Sequence, residues 1–147
     1  MVKVKVLKLN PKAELPKYML EGDAGCDLVA VSKTFEVNEH GRDLEVYGTG
    51  LAFEIPKGHI GLIFPRSSIY KTNLSLTNCV GVIDSNYRGE IKFKFFWTAE
   101  NKNRGDYKIG DRIGQLIVLP YPTIEFEESL SLSDSNRGSG GFGSTGN

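Results

Sequence analysis

Cysteine is nearly absent: in 147 residues there are two, Cys26 and Cys79, far apart and matching no metal-ligand spacing. A reduced intracellular protein is the simplest expectation. Net charge is absent as well, because 18 basic and 18 acidic residues cancel. No global field draws the chain to nucleic acid or to an anionic membrane, so any anion must be held by a local site. No apolar run is long enough to span a bilayer, and Val2-Lys3-Val4-Lys5-Val6 alternates where a signal peptide would be continuously apolar. The expectation is a cytoplasmic location (nuclear or organellar ones stay open), with neither nucleic acid nor membrane as partner. Also missing is any long stretch of helical period.

What is present is a succession of short strands and turns. The length suits one domain with its own core. Val2 to Val6 reads as a strand, and the phase shift at Leu7 and Leu9 suggests a bulge or a change of partner sheet. Thr34–Val37 and Leu44–Tyr47 read as strands around the turn-like Asn38-Glu39-His40-Gly41, and Leu51–Ile55 as another, ending at Pro56-Lys57-Gly58. His59–Phe64 follows, with His59 read as a surface residue. The fold expected is all-β, a sandwich or barrel.

Five stretches interrupt this pattern with chemistry. Gly81-Val82-Ile83-Asp84-Ser85-Asn86-Tyr87-Arg88-Gly89 ends an apolar run at an aspartate, and Ile91, Phe93, Phe95 and Trp97 continue beyond it. This reads as a β-hairpin with a carboxylate, an aromatic and a guanidinium at its tip. Asp27, in Ala24-Gly25-Cys26-Asp27-Leu28, is either a loop residue entering a strand or a carboxylate able to orient metal-bound water. Pro65-Arg66-Ser67-Ser68 precedes a candidate short helix, Ile69–Asn73. There Ser67 or Ser68 is either an ordinary cap or, with Arg66, part of an anion site. Gln115, in Gly110-Asp111-Arg112-Ile113-Gly114-Gln115-Leu116, needs hydrogen-bond partners if buried. Ser131–Asn147 is a serine- and glycine-rich tail closing on Arg137-Gly138-Ser139-Gly140-Gly141-Phe142-Gly143-Ser144-Thr145-Gly146. Its glycine spacing formally matches a dinucleotide fingerprint, but no strand precedes it and too little chain follows. Its composition is that of a flexible segment, yet Arg137 offers charge, Phe142 a stacking face, and the glycines open backbone N–H groups to phosphate oxygens.

In this order the five stretches resemble the motifs of the homotrimeric dUTP pyrophosphatase (dUTPase) family, from residue 24 to 146. The resemblance implies a jelly-roll-like, distorted-barrel subunit of the β-clip type, with a core over 1–130 and a carboxy-terminal arm over 131–147. It implies a trimer whose arm closes another subunit's site. The implied reaction is hydrolysis of dUTP to dUMP and pyrophosphate, which limits uracil in DNA and supplies dUMP for dTMP synthesis. Asp84 matches the carboxylate that activates the attacking water. Arg66, Ser67, Ser68, Gln115, Arg137, Ser139, Ser144 and Thr145 match phosphate contacts. Phe142 matches the ring stacked on uracil, and Tyr87 the one packed on deoxyribose. Backbone around Asn78, Gly81 and Ile83 matches the reader of the uracil edge. Mg²⁺ is the implied cofactor, with Asp27 positioning one of its waters.

Asn86 stands where that family more often has aspartate or glycine, and Ser68 where glycine is frequent. The related dCTP deaminases carry a glutamate ten positions past the aspartate, where this chain has Lys94. No zinc-deaminase signature is present either.

Overall fold

The computed structural model describes residues 1–98 and 105–141. Among the described residues nine strands form: β1 (Lys5–Lys8), β2 (Cys26–Val29), β3 (Ser32–Val37), β4 (Asp43–Glu54), β5 (His59–Phe64), β6 (Leu74–Leu76), β7 (Gly81–Ile83), β8 (Glu90–Trp97) and β9 (Arg112–Pro120). They make two antiparallel sheets, a jelly-roll-like all-β fold. One runs β1-β4-β8-β6, with β3 also on β4, and the other β2-β9-β5-β7.

The core lies between the sheets. β8 shows why: Ile91, Phe93 and Phe95 are buried while Lys92 and Lys94 of the same strand face out, the period-two alternation of a half-covered sheet. Phe93 and Phe95 stack at 6.1 Å between centroids, and Tyr47 meets Phe95 edge-on at 5.8 Å. From the other sheet Leu28, Ile63, Ile113 and Leu116 close on them.

Four expectations change. β1 pairs with β4 in unbroken register, so Leu7 and Leu9 mark no bulge; they face solvent while Val4 and Val6 pack on the core. The strands expected at 44–47 and 51–55 are one strand, β4, bent where its register against β8 shifts between Gly48 and Ala52. The bend needs Gly50: its φ is +64°, and a Cβ there would stand 2.7 Å from that of Asn10. The short helix is a 3-10 turn at Ser67–Lys71, two residues earlier than read. Its N-cap is Arg66, without a side-chain capping bond, so neither Ser67 nor Ser68 is spent as a cap. Finally, β7 and β8 are not a hairpin. β7 pairs with β5 in one sheet and β8 with β4 and β6 in the other, so residues 84–89 cross between sheets.

Candidate active site

That crossing makes a cleft. Where β7 and β8 part, a space of about 480 Å³ opens, with Ile63, Ile83 and Ile91 giving apolar lining and Asn78, Asp84 and Tyr87 polar groups. Gly81 lies so close to the Ile63 side chain that a Cβ would collide, which holds β7 tightly to β5. Asn78 lies in the turn just before, where Cys79 takes φ +58° and the Asn78 carbonyl accepts from Val80 N at 2.5 Å.

The crossing segment is held from within. Asp84 O accepts from Tyr87 N at 3.1 Å, closing a turn. Arg88 Nη1 donates to the carbonyls of Ser85 and Tyr87, both at 2.8 Å. The Tyr87 hydroxyl donates to Glu90 O at 3.2 Å, folding its ring over Gly89, where any Cβ would strike it. Asp84 is left exposed on a pinned turn, with the half-exposed Tyr87 ring beside it.

A second cleft, of about 580 Å³, gathers Asp23, Gly25, Asp27, Arg66, Ser67 and Gln115 with Arg112. β2 lies on β9 with Asp27 opposite Gln115, which puts the first and fourth motifs side by side. Gln115 Nε2 reaches Pro65 O at 3.4 Å, and its amide lies where a Cβ on Gly25 would be. Asp27 is gripped from two sides: Arg66 Nε is 3.2 Å from Oδ1, and Arg112 Nη1 donates to Oδ2 at 2.9 Å. Ser68, half-buried on the 3-10 turn, lines neither of these two clefts.

The expected site residues are therefore brought together as two groups. Asn78, Gly81, Ile83, Asp84 and Tyr87 share one cleft, and Asp27, Arg66, Ser67 and Gln115 the other, with no lining residue in common. Arg137 and Ser139 belong to neither; they lie in a local turn where Arg137 Nε donates to Gly140 O at 2.8 Å. Phe142, Ser144 and Thr145 lie outside the described residues. Sequence reading missed Arg112, although it lies within the fourth motif, because only pairing of β2 with β9 shows that it faces Asp27. It also missed Lys92 and Lys94 as part of the first cleft.

As for a metal, no group of three His, Cys, Asp or Glu side chains that could hold an ion occurs among the described residues. Asp23 already accepts from the N–H groups of Met19 and Leu20, at 3.1 and 2.8 Å. What remains is one carboxylate, Asp27, among guanidiniums and a glutamine. Such a donor set fits an ion carried by phosphate oxygens and waters, not one caged by protein.

A sequence model of the dUTPase family matches residues 11–146. The chain belongs to the dUTPase family. Two deoxyuridine 5'-triphosphate nucleotidohydrolases show how evenly the dUTPase likeness is spread. That of Corynebacterium glutamicum is 39% identical over 97% of this chain and 94% of its own length. That of Nautilia profundicola is also 39% identical, over 99% of both chains. Among solved structures, the dUTPase of Staphylococcus bacteriophage 80alpha, as its G164S mutant with dUpNHpp, superposes with a TM-score of 0.81. It is 27% identical, and 98% of each chain is covered.

Proposed function

We propose that this dUTPase hydrolyses dUTP to dUMP and pyrophosphate through attack of water on the α-phosphorus, limiting uracil in DNA and supplying dUMP for dTMP synthesis. The observation that carries the proposal is Asp84, a carboxylate on a pinned turn at an apolar-lined cleft with Tyr87 beside it. A base fixed in position gains more from orientation than from strength, since a water aligned with the departing oxygen avoids most of the entropic cost of attack. Tyr87, folded over Gly89, packs on the deoxyribose and leaves no room for a 2′-hydroxyl. Backbone groups of Asn78, Gly81 and Ile83 read the uracil edge.

The other group serves the triphosphate. Arg66, Ser67, Ser68 and Gln115 hold phosphate oxygens, joined by Arg137, Ser139, Ser144 and Thr145 of the arm, while Phe142 stacks on the base. Guanidinium and hydroxyl donors fixed around the leaving group stabilise charge as it builds there. Mg²⁺, when bound, neutralises phosphate charge, and Asp27 would hold one of its waters.

The split into two clefts favours a site completed by another copy. β2 and β7 are the outer strands of one four-stranded sheet, about 14 Å apart at ~4.8 Å per step. A homotrimer would set the Asp84 cleft of one copy against the Asp27 cleft of the next. Residues 131–147 are then an arm separate in role from the core of 1–130, which fits the exposure of Ser131–Ser139.

The deciding experiment is pyrophosphate release from dUTP, dCTP, UTP and dTTP by the wild type and Asp84→Asn. Hydrolysis of dUTP alone is expected, falling by about 10²–10⁴-fold in the variant. Ammonia release from dCTP would move the chain to the deaminases instead.

A further inference from the structure

The Asp27 cleft contains a pairing that the proposed reaction leaves unused. Asp27 spends both carboxylate oxygens on guanidiniums, Arg66 on Oδ1 and Arg112 on Oδ2. The two arginines are not equivalent. Arg66 follows β5, beside the exposed Ser67, and approaches Asp27 through Nε at 3.2 Å, whereas Arg112 makes a hydrogen bond to it at 2.9 Å. Arg112 is the first residue of β9, and its strand position is fixed by a bulge: the β2–β9 register shifts between Leu28 and Val29, so that Val29 rather than its neighbour stands opposite Arg112. Bulges of this kind re-aim a side chain, and here the guanidinium is directed back along β2 onto Asp27. The Asp27 side chain is only 13% exposed, so it has little room to choose another rotamer while Arg112 holds it.

We propose that Arg112 is a positioning residue, acting through Asp27: it keeps the carboxylate oriented and charge-balanced when an arriving triphosphate draws Arg66 away. This rests on the reading of the site given above. Arg66 and Arg112 balance Asp23 and Asp27 in charge, so what the cleft offers a polyanion is directed guanidinium and hydroxyl donors rather than a net field. When Arg66 turns its donors to phosphate, Oδ1 is released as an acceptor facing the cleft, while Oδ2 stays bound to Arg112. Without Arg112 the released carboxylate would be unpaired and free to rotate, and the Mg²⁺-linked part of binding would weaken. Partners that orient a ligating carboxylate are worth roughly 10–100-fold in metal affinity.

The test is calorimetric titration of the unhydrolysed analogue dUpNHpp, in Mg²⁺ and in EDTA, on the wild type, Arg112→Gln, Asp27→Asn and the double variant. Thermal melts without nucleotide confirm folding. Arg112→Gln is expected to lose about tenfold of the Mg²⁺-dependent gain in affinity and to keep its affinity in EDTA. In the Asp27→Asn background the same change is expected to have no effect, because the residue through which Arg112 acts is gone. Equal losses in Mg²⁺ and EDTA would make Arg112 a direct phosphate contact and overturn the inference, as would a Mg²⁺-dependent gain that Arg112→Gln leaves intact. If Arg112→Gln does not fold, Arg112→Lys carries the test, with a loss of about two- to threefold expected and an unchanged gain overturning it. A wild type with no Mg²⁺-dependent gain would overturn the magnesium reading itself along with this one, and is thereby distinguishable from failure of Arg112 alone.

Discussion

Lys33 holds two carboxylates at once. Its ammonium lies 3.2 Å from Oε1 of Glu45, which is 1% exposed, and bonds Asp106 as well. Tyr47 donates its hydroxyl to the other oxygen of Glu45, and burial, then this bond, push the Tyr47 hydroxyl far above its ordinary range. Removing Lys33 leaves Glu45 a buried charge with one partner lost. Lys33→Met is therefore expected to destabilise the fold by about 3–5 kcal/mol in chemical denaturation. The Lys33 hydrogen bond also holds the Asp106 carboxyl below its usual value. Its stabilisation is thus present above the unfolded value of about 4 and is lost as pH falls through the lower folded value, so the variant should show a shallower acid-side slope in melting temperature. None of this was legible in the sequence. Asp43-Leu44-Glu45-Val46-Tyr47 looks like a strand with charges facing out, but β4 is covered on both faces from Glu45 to Phe53. Motif order was enough to single out Asp84, Tyr87, Arg66 and Gln115 as candidates, and they do line the two clefts, whereas Arg112 needed a contact between residues 85 positions apart.

At the scale of elements, alternation identified β8 and the valine face leading into β1, because each is buried on one side only. It could not place β7. A three-residue strand followed by a turn and a longer strand looks like a hairpin in sequence, and only sheet partners reveal that the chain changes layer. The arm is the other element whose role sequence and fold divide between them. Leu132 of the arm is 91% exposed, as are Phe126 and Leu130 leading into it at 89% and 106%, so the rest of the described chain gains nothing from burying them. Ending the chain after Leu130 is expected to leave secondary structure by circular dichroism unchanged and to reduce dUTP hydrolysis by at least about 10²-fold, since the phosphate and base contacts proposed for the arm would act on the substrate alone. A truncated protein that still turns over at the wild-type rate would remove the arm from the site.

For the whole molecule, two separated clefts make a prediction that a one-chain site does not. Asp84→Asn and Arg66→Ala each disable a different cleft. Unfolded together in equal amounts and refolded, they should regain activity, with roughly a quarter of the sites drawing both intact halves from different copies. Separately refolded variants mixed afterwards should stay inactive; failure of the co-refolded sample would place the whole site within one chain. The other whole-molecule consequence lies in the layer change at residues 84–89. Ile63, Ile83 and Ile91 belong to the hydrophobic core and also line the Asp84 cleft. The width of the cleft proposed to take the nucleoside is therefore gauged by the same contacts that set the spacing between the sheets. If the proposed reading of this cleft holds, such a protein measures its substrate against its own thickness, and any loosening of the core would widen the aperture offered to the base.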